Sequence, residues 1–373
     1  MKHLITLTLI FLTPLLLSAQ SPETVKLYNK AVELAKAGDR EGAIATYSEV
    51  ISADPLYSKA WYSRGLAKMK DKDYPAAVKD IGKSLKLDPD NGKAQYYAGY
   101  CLMKMKKNEE AIKSFSRALQ TDPTLTKVYY YRANIQMQDE NYDKAITDFQ
   151  DALTKDERSA KALYKLGVCY LKTDETELAQ QSFGLALKED EAYVPALTES
   201  LKLAYKAEEY EAALDQAGKL LSENPENKKA LYYMGMSLLK QDDFDGAYTT
   251  FGTLLTLDPE NKSALANRAF ISLKTKDYAS SITDHTALLE HHPEKRHFYN
   301  RALSHMQLEQ WDAALTDLTE VIKLDGSYGE AFYNRSNVQL KLGQDEKACM
   351  DMREAAKQGY DKALDYIAGI CNG

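Results

Sequence analysis

The side chains of this chain with the most chemistry to offer recur at fixed distances. Tyr62, Tyr96, Tyr130 and Tyr164 stand 34 residues apart, Tyr232 falls two periods further on, and three residues before each comes a lysine: Lys59, Lys93, Lys127, Lys161 and Lys229. Met69, Met103 and Met137 follow the first three tyrosines at a constant interval. Rigid phenols and adaptable thioethers supply contact area while ammonium groups steer an acidic partner, so the pattern suits recognition rather than bond making. Catalytic arrangements are missing: there is no glycine-rich phosphate loop, no GxSxG elbow, and no acid paired with a nucleophile outside the periodic pattern. Neither an enzyme nor a cofactor is expected.

Histidines form the other concentration. His285, His291, His292, His297 and His305 share one short window. Imidazoles gathered in this way can ligate a metal or titrate near neutral pH. No two of them have the four-residue spacing that places ligands on one helix face, and no HExxH pattern or nearby cysteine supports them, so no metal is expected. His285 and His305 fall where the rest of the chain puts aromatic or aliphatic core residues, with Ser272 and Ser281 close by. Polar groups in a core cost stability unless hydrogen-bonded. This window is therefore read as a weak point or hinge, a pH-sensitive joint or simple drift.

Pairs of short amphipathic helices have to carry these residues. In the stretch from Ala60 to Pro89, Trp61, Gly65, Ala77 and Pro89 mark positions that recur every 34 residues, the sign of a helical solenoid. Modules start at residues 24, 58, 92, 126, 160, 194, 228, 262, 295 and 329, with one deletion between the eighth and ninth. Counting slots from those starts, slot 20 reads Ala43, Ala77, Ala111, Ala145, Ala179, Ala213, Ala247, Ser281, Ala314 and Ala348, where two helices cross closely. Slot 24 carries a large knob such as Tyr47, Phe115, Phe149, Phe183 or Phe251, and Pro55, Pro89, Pro123, Pro225, Pro259 and Pro293 close modules. The sixth module departs most, with Pro195 near its start, Leu201 where a small residue is usual and Ala217 in the knob slot, which leaves its curvature open.

These residues and spacings resemble the tetratricopeptide repeat from residue 24 to about 360. The resemblance implies an all-α fold, a right-handed α-α superhelical solenoid of about ten helix pairs, whose first helices line a concave face where ligands bind. In that frame Lys59, Tyr62 and Met69 and their counterparts become the lining of a groove for an extended or helical segment of a protein partner. Members of the family that clamp a terminal carboxylate use lysine at slot 5 and asparagine at slots 6 and 9. Here Asn134 and Asn337 occupy slot 9 but slot 5 is tyrosine, so that clamp is not expected. A glycan stacked on the tyrosines is the alternative ligand.

A comparison among modules adds a tie. Slot 7 is arginine in five modules (Arg64, Arg132, Arg268, Arg301, Arg335), and slot 23 of the same five is aspartate (Asp80, Asp148, Asp284, Asp317, Asp351). The other modules have neither, so an ion pair joining first helix to second within a module is expected. Cys101 and Cys169 share slot 10 of modules with another between them, too far apart to bond. Cys349 lies early in the last module's second helix and Cys371 late in a following amphipathic helix. Antiparallel packing brings those ends together, which predicts a disulfide.

The net charge of −7 gives no general attraction for nucleic acid. Residues 1–19, with Lys2 and His3 before the apolar run Leu4 to Leu17, read as a secretory signal cleaved after Ala19. Residues 20–360 form the solenoid and 361–373 a capping helix. The expected mature product is exported, periplasmic or secreted, without a transmembrane segment, and its expected partner is an acidic protein or peptide rather than nucleic acid.

Overall fold

The computed structural model describes residues 21–154 and 159–371; the signal segment expected at the N-terminus lies outside them. Among the described residues the chain is entirely helical. It falls into two compact units, residues 1–182 and 183–373. The first unit holds α1 (Pro22–Ala37), α2 (Arg40–Ala53), α3 (Ser58–Lys70), α4 (Tyr74–Leu87), α5 (Gly92–Lys104), α6 (Asn108–Thr121), α7 (Thr126–Gln138), α8 (Tyr142–Thr154), α9 (Ala160–Lys172) and the start of α10 (Thr176–Glu189). The second holds the rest of α10, then α11 (Val194–Lys206), α12 (Tyr210–Glu223), α13 (Lys228–Lys240), α14 (Phe244–Leu257), α15 (Lys262–Lys274), α16 (Tyr278–His291), α17 (Lys295–Gln307), α18 (Trp311–Leu324), α19 (Gly329–Lys341), α20 (Asp345–Lys357) and α21 (Lys362–Ile370). Odd-numbered helices up to α19 open the modules and even-numbered helices close them.

Local chemistry sets the boundaries. Ser21 caps α1 by accepting from the Thr24 N–H, with proline in the first turn and Glu23 facing the helix dipole. Asp39, Asp73, Asp243 and Asp277 cap second helices in the same way, while Asn91, Asn227 and Asn261 cap first helices. Each turn inside a module passes through a left-handed residue at slot 15. Gly38 and Gly343 take that conformation freely, whereas Lys72, Lys106, Glu140, Asp174, Glu208, Asp242, Lys276 and Glu309 adopt it with a side chain attached.

Within each unit the helices of a module pack as an antiparallel hairpin, from α1 with α2 to α7 with α8 and from α11 with α12 to α19 with α20, and second helices pack on the next first helix, from α2 with α3 to α8 with α9 and from α12 with α13 to α18 with α19. In the first unit, consecutive first helices also touch (α1 with α3, α3 with α5, α5 with α7), and contact of that extent is not made between consecutive second helices. The first helices therefore lie on the inner side of that stack. Packing inside a module turns on one small-to-large contact. A Cβ on Gly99 would come within 2.7 Å of the Phe115 ring, one on Gly235 within 2.9 Å of Phe251, and one on Gly65 within 2.7 Å of Ile81. The sixth module reverses the sizes: Leu201 and Ala217 are both fully buried in one cluster, so volume is conserved although each residue is out of pattern.

At the C-terminal end, α21 packs through Ala363, Tyr366 and Ile367 onto a cluster with Phe332, Met352 and Ala355. A disulfide joins Cys349 to Cys371, Cα to Cα 5.5 Å. Cys101 and Cys169 are free and buried, and burial pushes both thiols up to about 11.

Candidate partner-binding face

The first helices of the first unit bring the lysines, tyrosines and methionines onto one side. Lys59, Lys93, Lys127 and Lys161 are exposed, and Met69, Met103 and Met137 are half-buried. Lys59, Lys127 and Lys161 make no ion pair within 4 Å among the described residues. Their ammonium groups are available to carboxylates from outside.

The tyrosines sit deeper than a simple lining would. Tyr62, Tyr96, Tyr130 and Tyr164 are half-buried, and the first three pack against clusters of the core. Tyr130 packs on the Phe149 knob with centroids 5.9 Å apart, and Tyr96 on Phe115 at 6.4 Å. Burial raises the phenol pKa of Tyr62 and Tyr96 above its usual value, with neighbouring tyrosines adding to the effect. These phenols stay protonated as hydrogen-bond donors throughout the physiological range.

Slot 6 extends the aromatic run, which the single-slot comparison in the sequence does not show. Tyr97 lies 6.2 Å from Tyr62 and 4.6 Å from Tyr96, Tyr131 stacks on Tyr96 at 6.1 Å, and Tyr100 meets Tyr131 edge-on at 5.5 Å. Lys104 places its ammonium 5.4 Å from the Tyr100 ring centre. The signal was present as doublets and triplets of tyrosine, Tyr96–Tyr97 and Tyr129–Tyr131. In the fifth module slot 6 is Lys165, half-buried, its pKa lowered by burial and then by Lys161. Among the described residues Lys165 has no ion-pair partner, and an ammonium that feels another in this way attracts an anion.

In the second unit Lys229 is exposed and Tyr232 half-buried against Tyr233, at 5.4 Å. Tyr299 is buried, and its hydroxyl accepts from Asn334 at 2.8 Å, so it serves packing. Ala266 breaks the tyrosine series, with Phe270 45% exposed one turn later.

Each slot 7 arginine grips its aspartate with two bonds. Nε and Nη2 of Arg64 lie 2.8 Å from the two oxygens of Asp80, and Arg132 holds Asp148 at 2.8 and 2.7 Å. Arg268, Arg301 and Arg335 hold Asp284, Asp317 and Asp351 likewise. The carboxylates are almost completely buried, and forked geometry satisfies both their oxygens. The remaining nitrogen does something further. Nη1 of Arg64 donates to Ser48, of Arg132 to Ser116, of Arg301 to Thr286 and of Arg335 to Thr319, each a hydroxyl at slot 25 of the preceding module. The tie therefore crosses the seam between modules.

The histidine window resolves into separate contacts. His285 is the slot 24 knob of the eighth module, and its partner is His297 rather than His305: the two rings are 5.6 Å apart, both 2% exposed. None of their four ring nitrogens has a hydrogen-bond partner among the described residues. His305 bonds Gln310 through Nδ1 at 2.6 Å and lies 3.8 Å from Asp317. Ser272 and Ser281 are satisfied, by the Arg268 carbonyl and by Ser304. Among the described residues no group of three or more His, Cys, Asp and Glu side chains could hold a metal ion. No described helix is long and apolar enough to cross a membrane.

A stack of helix hairpins with this packing defines the class of helical repeat proteins. Models of the tetratricopeptide repeat match residues 28–85, 68–135, 136–198, 200–248 and 299–364. The chain belongs to the tetratricopeptide repeat family. Residues 249–298 lie between the matched stretches, and α15 and α16 there pair like the others. A search of curated proteins finds no match. Among solved structures, the C-terminal part of a TPR repeat-containing protein from Cytophaga hutchinsonii is 20% identical, covering 64% of this chain and 98% of that one with a TM-score of 0.54. A tetratricopeptide repeat protein from Parabacteroides merdae is 20% identical over 64% and 95% of the two chains, TM-score 0.43. YrrB, described as a TPR protein with an unusual peptide-binding site, is 19% identical over 50% and 96%, TM-score 0.46. The first of these shows the shared fold.

Proposed function

We propose that this protein is a non-enzymatic scaffold of the cell envelope that holds an extended or helical segment of an acidic protein partner against its first helices. The supporting observation is the continuous aromatic run Tyr62, Tyr97, Tyr96, Tyr131 in the first unit, flanked by unpaired lysines. Half-buried tyrosines give a partner fixed contact area at little entropic cost, and the amines select for carboxylates. A glycan would need an open ring face, and Tyr96 is already taken up by Tyr97 and Tyr131. Export fits the Cys349–Cys371 disulfide, since such bonds persist in oxidising compartments.

The test is capture of partners from envelope extract by the purified protein, with Lys127→Glu and Tyr131→Ala as comparisons. Loss of the captured protein with both changes is expected. Undiminished capture by both would remove the first-helix face from consideration. A fusion of residues 1–20 to a periplasm-dependent reporter tests export, and a silent reporter would overturn it.

A further inference from the structure

The arginine tie is missing at the seam between the second and third modules, and what replaces it is space. There slot 7 is Ala98, slot 23 is Ser114, and slot 25 of the preceding module is Gly82. The third module alone has small residues at all three positions. Where the fifth and seventh modules lack arginine, Leu166 and Met234 fill slot 7. A Cβ on Gly82 would meet nothing within 4 Å. The result is a cleft of about 460 Å³ bordered by Gly82, Ala98 and Ser114. It opens among α4, α5 and α6, and its floor residues Val78 and Leu102 belong to the cluster on which Tyr96 and Tyr131 pack.

Its chemistry is not that of a packing defect. Thr46, Ser182 and Thr250, at the same slot as Ser114, turn their hydroxyls back onto carbonyls of their own helices. Ser114 makes no such bond, and its hydroxyl has no partner among the described residues. Arg117 and Lys86 stand exposed with no ion pair among the described residues. The cleft thus combines an apolar floor of Val78, Leu85, Ala98 and Leu102 with two unpaired cations and a free hydroxyl, a volume within the range of ligand clefts.

We propose that this cleft, lined by α4 and α6 as well as α5, is a second binding site for an acidic segment of a partner protein. The segment lays an aliphatic side chain on the floor and sets a neighbouring carboxylate against Arg117, Lys86 and Ser114. Charge complementarity selects the occupant: both free groups at the mouth are cationic, and a hydrocarbon must cover the floor.

The test uses the full chain with labelled Val and Leu methyl groups, titrated with the acetylated, amidated peptide Leu-Glu-Leu-Glu and followed by NMR. Shifts are expected at Val78, Leu85 and Leu102, and not with the Leu-Lys-Leu-Lys peptide. Arg117→Glu is expected to weaken binding about tenfold. The decisive variant combines Gly82→Ser, Ala98→Arg and Ser114→Asp, which rebuilds the tie used elsewhere and fills the cleft. It is expected to melt no lower than the parent and to show no shifts. Equal shifts with the lysine peptide, or binding retained by a folded filled variant, would overturn the proposal. So would a response to octanoate but not to the acidic peptide, which would make the site one for a free carboxylic acid.

Discussion

Gly252 faces Arg268 across a seam: a Cβ placed on the glycine would lie 3.8 Å from Nη1 of the arginine. Four other arginines donate from that nitrogen to a serine or threonine of the preceding module, and only here is the hydroxyl absent. Gly252→Ser is therefore expected to stabilise the protein. The gain is roughly 0.5 kcal/mol from helix propensity and about 1 kcal/mol from a new charge-assisted bond. A urea transition that does not move to higher concentration would contradict it.

Breaking one side of a tie has the opposite effect. Asp148 is 3% exposed and owes its tolerance to Arg132. Arg132→Met is expected to cost about 3 to 5 kcal/mol, because an unpaired carboxylate stays buried. Arg132→Met combined with Asp148→Leu is expected to cost clearly less. Equal losses for single and double variants, in matched denaturation curves, would show that the bond energy rather than the stranded charge dominates.

The buried histidine pair makes the second unit sensitive to acid. Burial pushes His285 down to about 4, with His297, Arg301 and Arg296 adding like charge, and His297 is lowered too. A base depressed in the folded state takes up protons more readily when unfolded, so its contribution is complete above pH 6.5 and lost as pH falls towards 4. For His285 this amounts to roughly 3 kcal/mol across that window. The protection factors of amides in α16 and α17, taken relative to the intrinsic exchange rate at each pH, are expected to fall between pH 7 and 4.5, with His285→Phe removing most of the change. An identical acid loss of protection in that variant would place the sensitivity elsewhere.

The terminal disulfide spans 22 residues and holds α21 against the last hairpin. Cys349→Ser is expected to lower the stability of the cap by about 3 kcal/mol on loop-entropy grounds. Exchange should quicken in α21 while α13 keeps its rate, and dithiothreitol should reproduce the effect in the parent only. A uniform change along both helices would mean that the cap is not a separate unit.

Helix boundaries and hairpin pairing were legible because one period repeats ten times, so that Ala77 or Pro89 can be checked against its counterparts. The arginine partners within modules were visible for the same reason. Ser48 and Ser116 were not, because the slots were compared module by module and these hydroxyls belong to the module before. The pairing of His285 with His297 was hidden differently. It joins a knob slot to slot 3, which is alanine or valine in most modules, and two departures from pattern in different slots carry no mark of belonging together. The sixth module shows the reverse error: Leu201 and Ala217 each look like faults alone and are a fit together.

Consider finally what the seam-crossing arginines mean for a chain under tension. In the first unit they clasp the first module to the second and the third to the fourth, Gln150 of α8 donates to the Tyr170 hydroxyl of α9 across the fourth and fifth, and between the helices of the second and third modules no side-chain hydrogen bond is made among the described residues. Pulled along its length, such a stack would part first at that one joint. The first piece released would then be a doublet of about 68 residues, twice the period written in the sequence.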